Sequence, residues 1–302
     1  MADQHETSPD QQWVVAYYDL LGIQREMDKW ENPQATCGKI DLFRHALTRT
    51  LEKSVNRQLD LRNSRSPSFV HGRECEFLYF GFADTVVIAS PVVNRFGWPQ
   101  TMALSMLLMI TVPLTAILLE DGILFRAGVE VGTARRVRSV SDYIGVSSSD
   151  SAANNRFFSG DIAGPAYVEA HSLASVKGSP PGTFLGKGAI ALLQEARSGC
   201  GRSQRTRVAS ATQRLRMLMR LDGTDKYQLS DKGNVWAVDF ANLKSTGARE
   251  ADAGYQQTQD LLRKGYQWVC GALQPGSDDG VREKLQWLKN YLESRGFGGP
   301  GP

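Results

Sequence analysis

Cysteine is scarce and scattered in this chain. Cys37, Cys75, Cys200 and Cys270 show no C-x-x-C spacing, so neither a zinc site nor a disulfide frame is indicated, and reduced thiols are expected. Charge of one sign is also lacking. Against 32 acidic residues stand 35 basic ones, a net charge of +3, too small to argue for a nucleic-acid or membrane partner. The opening MADQHETSPDQQ is polar and has no apolar signal-peptide core. One long apolar run exists, Thr101 to Leu119, uncharged and close to spanning length. It carries Ser105, Thr111, Pro113 and Thr115, and no basic loop beside it sets an orientation. A helix buried against a sheet, or against a dimer face, is expected there instead of a membrane span. A cytoplasmic location follows as an expectation.

What is present looks like an ordinary globular chain, 302 residues long with 41% apolar and 22% charged residues. That length suits one large domain or two small ones. Residues 1–11 read as a disordered tail. A strand is expected from Trp13 to Asp19, then a loop and short helix to Trp30, broken at Asn32-Pro33. Ile40 to Leu61 reads as an amphipathic helix, with Leu42, Phe43, Ala46, Leu47, Leu51, Val55 and Leu59 roughly on its apolar face. A Ser/Arg/Pro loop over residues 63–72 precedes a hairpin around Asp84, the apolar helix, and an alternating strand from Leu124 to Gly132. Residues 133–159 read as a flexible loop, in which Asp142 and Asp150 are turn residues. Pro165 opens a helix. Residues 175–230 read as irregular apart from a helix near Arg207 to Arg220. Asn234 to Phe240 reads as a strand, Tyr255 to Leu273 and Val281 to Ser294 as helices, and residues 297–302 as a flexible end.

Two acidic positions stand out. WVVAYYDLLGIQ (13–24) is an apolar strand ending in Asp19, and FLYFGFADTVVIAS (77–90) is a strand, a tight turn with Asp84, and another strand. A charge at the end of a buried strand is costly without a partner. Two carboxylates delivered by neighbouring strands to one sheet edge suit a divalent cation, most often together with nucleotide phosphate. Taken singly, Asp19 could cap the following loop and Asp84 could be a plain hairpin-turn residue. Backbone N–H groups of Leu21, Gly22 and Ile23, near a helix start, could cradle phosphates. The order strand, helix, hairpin, helix, strand is that of a ferredoxin-like βαββαβ core. The fold class expected is therefore α+β, with an antiparallel-rich sheet, helices packed on it, and an α-rich C-terminal extension.

The pieces YYDLLG (17–22), FADTVVI (82–88), FRAGVEVG (125–132) and GDIAGPAYVEAHSL (160–173), with the later KLQWLKNY (284–291), give the chain a family likeness. It resembles the class III nucleotidyl cyclases, most of all the pyrimidine nucleotide cyclases of bacterial Pycsar anti-phage systems. The resemblance spans about residues 13–175, so residues 12–175 would be the catalytic core and residues 176–302 an extension completing core and dimer. It implies that Asp19 and Asp84, with the backbone carbonyl of Leu20, hold two Mn2+ or Mg2+ ions. It implies conversion of UTP or CTP to the 3′,5′-cyclic monophosphate and pyrophosphate, in a homodimer whose product acts on a downstream cyclic-nucleotide effector.

Base selection departs from the purine enzymes of that class. Where they carry a lysine before the second metal aspartate, this chain has Leu78 and Tyr79, which argues against adenine. By resemblance Tyr79 and Arg126 contact a pyrimidine, and an arginine suits the acceptor-rich edge of uracil. Core packing for Tyr79 and a surface ion pair for Arg126 are the bland alternatives. Asp161 sits where the purine-reading aspartate would be, or is simply a charge near a helix start. The family's Asn and Arg on the following helix are Val168 and Ser172 here, so those roles are unfilled. Arg135, Arg136 and Arg138 are candidate substitutes, although a solvated basic loop is the preferred reading for at least two of them, while Glu169 and His171 read as structural. An adenylate or guanylate cyclase, or a non-catalytic cyclase-like nucleotide-binding module, are the alternatives.

Overall fold

Among the described residues eight strands form one mixed sheet, and its centre is the first strand of the chain. The computed structural model describes residues 11–63, 77–92, 101–137, 157–159, 161–176, 180–198, 214–221, 235–246, 250–273 and 279–298. Most of the expected N-terminal tail, the 63–72 loop past residue 63, Arg138, Asp142 and Asp150 lie outside them.

The strands are β1 (Gln12–Leu20), β2 (Phe77–Phe82), β3 (Thr85–Pro91), β4 (Phe125–Thr133), β5 (Arg135–Val137), β6 (Phe157–Ser159), β7 (Asp161–Ala163), β8 (Gly182–Leu185), β9 (Leu218–Leu221) and β10 (Val235–Val238). The helices are α1 (Ile23–Lys29), α2 (Pro33–Asn63), α3 (Met102–Glu120), α4 (Pro165–Ala174), α5 (Lys187–Ser198), α6 (Ala253–Ala272) and α7 (Asp279–Ser294). In the large sheet the order is β6-β2-β3-β1-β4-β8-β10-β9, and β5 pairs with β7 separately. Its centre, β2-β3-β1-β4, is antiparallel throughout and has the ferredoxin-like order expected. β8 joins β4 in parallel, and β10 and β9 extend the edge.

The period of two along the strands divides the core. Val14, Ala16, Tyr18 and Leu20 face the larger cluster, which takes in Phe43, Leu47 and Leu51 of α2, nearly all of α3, and Leu262 and Val269 of α6. Trp13, Val15 and Tyr17 face the opposite way, towards Ala166 and Ala170 of α4. α3 is the only helix among the described residues long and apolar enough to cross a membrane, yet most of it is buried inside the molecule. Core burial explains its composition. Its two threonine hydroxyls are satisfied within the helix, Thr111 Oγ1 donating to the Leu107 carbonyl (3.1 Å) and Thr115 Oγ1 to that of Thr111 (2.7 Å).

Several local expectations are corrected. The short helix does break before Asn32-Pro33, but the next one opens there and not at Ile40: Pro33 needs no N–H in the first turn, and Asn32 Oδ1 accepts from the Ala35 amide at 3.1 Å. β5 and β6 lie inside the stretch expected to be a loop. The segment read as irregular contains β8 and α5, while Leu218–Leu221 is strand, not helix. Phe297, expected in the flexible end, packs against the main core, and its amide donates to Leu292 at 3.1 Å. A buried carboxylate secures that end. Asp239 accepts from Tyr291 Oη (2.6 Å) and from Arg295 through Nε (2.9 Å) and a second guanidinium nitrogen (2.7 Å).

Candidate active site

Asp19 emerges where β1 runs out of the core. By alternation its side chain lies on the α4 side of the sheet, two residues beyond Tyr17. Its cross-strand partners are Thr85 of β3 and Arg126 of β4. Asp84 is the residue before Thr85, in the two-residue turn of the β2–β3 hairpin. The hairpin is tied to β1 by the Leu20 amide, which donates to the Asp84 carbonyl at 3.2 Å. Both acids therefore reach the same end of the sheet.

The hairpin turn is built at a conformational cost. Ala83 takes φ 48°, a left-handed conformation in which glycine is favoured. Arg44 of α2 holds it there, donating to the Ala83 carbonyl at 2.7 Å. Sequence reasoning passed over Arg44, and nothing in its neighbourhood marks it, because the contact joins α2 to a turn 39 residues away.

Asp19 is part-buried and ion-paired. Arg126 approaches its Oδ2 at 3.3 Å and also donates to the Val176 carbonyl at 2.8 Å. Burial pushes the Asp19 carboxyl above its ordinary value; Arg126 pulls it back, and the like charge of Asp84 raises it again. That repulsion is what two carboxylates sharing a cation would show before it is neutralised. The donor set, two carboxylates and a backbone carbonyl from Leu20, is all hard oxygen and suits Mg2+ or Mn2+. Among the described residues no group of three or more His, Cys, Asp and Glu side chains is placed to hold an ion. An ion here would complete its shell from phosphate and water, the usual habit of Mg2+.

Beside the acids lies an aromatic cluster. Tyr17 meets His171 edge-on at 4.8 Å between ring centroids, and Tyr167 stacks on His171 at 6.5 Å. Tyr17 Oη and Thr85 Oγ1 lie 3.4 Å apart. Thr85 and Tyr167 were not singled out from sequence; the alternation of β1 and the i, i+4 spacing of Tyr167 and His171 on α4 are the signals that could have found them.

Other expected site residues are placed differently. Tyr79 packs into the main core on the α2–α3 side, the face away from Asp19 and Arg126. The Leu21 amide is already spent on the Leu124 carbonyl at 2.9 Å, which leaves Gly22 and Ile23 for a phosphate. Gly22, at φ 86°, shapes that turn, and the Ile23 amide is one of the first-turn donors with no carbonyl inside α1. Asp161 pairs with Val137 in the separate two-stranded β5–β7 ribbon, and Ser159, two residues before it, runs beside Tyr79 of β2. Arg135 and Arg136, both exposed, belong to the same ribbon. Val168 is 61% exposed, and Ser172 lies on the same helix. Within one copy of the chain, then, Asp19, Asp84, Arg126, Gly22 and Ile23 lie at one end of the sheet, whereas Tyr79 faces its other side and Asp161 belongs to the separate β5–β7 ribbon.

No protein-family model and no curated protein matches the chain. Its backbone is similar to that of a bacterial light-regulated adenylyl cyclase (TM-score 0.43, 11% identity), covering 86% of this chain but 59% of that one. It is also similar to adenylate cyclases from Trypanosoma brucei solved in their monomeric state (TM-score 0.40, 9% identity), covering 78% of this chain and 91% of that one. Likeness at this level decides neither family nor reaction. The fold itself is plain: an α+β protein with a ferredoxin-like centre and an acidic site at one sheet end.

Proposed function

We propose that the protein is a divalent-cation-dependent nucleotidyl cyclase acting on a pyrimidine nucleoside triphosphate, UTP before CTP. The observation that carries this reading is the delivery of Asp19 and Asp84 to one sheet end with Arg126 beside them. Cations held by Asp19, Asp84 and the Leu20 carbonyl would lower the pKa of the ribose 3′-hydroxyl and neutralise the triphosphate. The 3′-oxygen then bonds to the α-phosphorus while the α–β bridging P–O bond breaks, pyrophosphate leaves, and the hydroxyl proton passes to solvent. In that reaction the Gly22 and Ile23 amides orient phosphate oxygens, and Arg126 donates to the base or to phosphate.

The resemblance noted in the sequence extends the proposal to a cytoplasmic homodimer in which Tyr79, Asp161 or a loop arginine of one copy serves the acids of the other. It also suggests a product that signals to an effector in anti-phage defence. A second reading, a nucleotide-binding module without turnover, is favoured by one observation: exposed Val168 stands where the family has its asparagine.

Incubating the purified chain with each of the four nucleoside triphosphates and Mn2+ tests the proposal. Cyclic UMP or cyclic CMP is expected, and Asp84→Ala is expected to abolish it while keeping the parent's circular dichroism. Purine product alone overturns the substrate class. Nucleotide binding without any product favours the module, and unchanged product from Asp84→Ala removes Asp84 from the chemistry.

A further inference from the structure

We propose that Arg126 is an internal counter-ion that competes with the divalent cation for Asp19, so that cation binding and the arginine's contact with the nucleotide are coupled. The proposal rests on Asp19 and Asp84 being cation ligands and adds a regulatory device to that site.

Three features carry it. Asp19 and Arg126 are direct cross-strand partners on the two adjoining strands β1 and β4, at the end of the sheet, so register brings them together. Their side chains are only 23% and 13% exposed, which limits screening by salt. Two bonds of the guanidinium are also unequal. Its distance to the Asp19 carboxylate, 3.3 Å, is long for a charge-assisted bond, while that to the neutral Val176 carbonyl is 2.8 Å. The arginine is thus anchored on Val176 and leans on Asp19. A cation arriving at Asp19 displaces the leaning nitrogen but not the anchor, and turns it towards the next acceptor, a phosphate or base oxygen. Linkage requires the converse: a nucleotide that engages Arg126 strengthens cation binding.

The test is Mn2+ titration calorimetry on the full chain without nucleotide. Arg126→Gln is expected to bind Mn2+ on the order of tenfold more tightly than the parent, as a charge-assisted competitor of ordinary strength is removed. Arg126→Lys, which keeps the charge, is expected to stay within about threefold of the parent. Equal or weaker binding by Arg126→Gln overturns the proposal. Should that variant not fold, side-chain 15N NMR of the unaltered protein decides: the Arg126 Nε signal, assigned by its loss in Arg126→Lys, is expected to shift saturably with Mg2+, and an unmoved signal overturns the proposal. Failure of the underlying reading looks different. If neither parent nor Arg126→Gln binds Mn2+, the cation site falls and this proposal with it. If Asp84→Asn loses Mn2+ while Arg126→Gln matches the parent, the site stands and only the competition is refuted.

Discussion

At the residue scale, neighbours in the YYDLLG motif have opposite fates. Tyr17 points to the α4 side and shares its hydroxyl with Thr85, whereas Tyr18 is fully buried in the main core and its hydroxyl has no partner among the described residues. A buried hydroxyl without a partner carries its full desolvation cost. Tyr18→Phe is therefore expected to raise unfolding free energy by about 1 kcal/mol in urea denaturation, with the site unaffected; a loss of stability would mean that the hydroxyl is satisfied. Asp19 and Asp84 were legible from sequence because each sits at a strand end where a bare charge is out of place. Tyr79 was not, since two residues of a strand with similar side chains give no sign of which face is which until the neighbouring helices are seated.

Among the elements, the decisive contact is that of α4 with β4. A Cβ on Gly128 would run into the Ala170 carbonyl oxygen, a backbone atom that cannot step aside, whereas one on Gly132 would meet the Ala166 methyl at 3.5 Å, ordinary contact. Gly128→Ala is accordingly expected to cost about 2 kcal/mol by overpacking, and Gly132→Ala to be close to neutral, as read from paired denaturation curves. Equal effects would mean that α4 is free to shift away from the sheet. Sequence alone does not rank the two glycines, because the ranking depends on where the turns of α4 fall. It did locate that helix, through Pro165, and the hairpin, through its flanking apolar runs. It missed β8 and α5, whose short strand and weak flanking signals acquire their structure only by docking on β4.

For the molecule as a whole, the chain after residue 176 is built into the sheet, and Glu130 is part of the join. Its buried carboxylate accepts from its neighbour Val131 (2.6 Å) and from Ala189 (3.0 Å) at the start of α5. Burial raises its pKa above the ordinary glutamate value, although the amides of Val131, Ala189 and Gly188 pull it down. With the folded value above the unfolded one, the associated stability is complete below the unfolded pKa and is lost as pH rises through the folded pKa. Glu130→Gln cannot ionise. The parent's stability relative to that variant is thus expected to decline over the same window, measured by denaturant unfolding from about pH 4 to about pH 8; parallel curves would count against it.

Strand periodicity, the placement of Pro and Gly, and two misplaced charges determined the α+β class, the βαββαβ order and the pair Asp19 and Asp84, because each is a local property of the chain. Tertiary structure alone decided that Arg126 pairs with Asp19, that Arg44 braces the hairpin turn, that Tyr79 faces away from the acids, and that Asp161 pairs in a ribbon of its own. Those outcomes depend on strand register and on the side of the sheet each helix covers, and both are settled only when segments far apart in the chain come into contact.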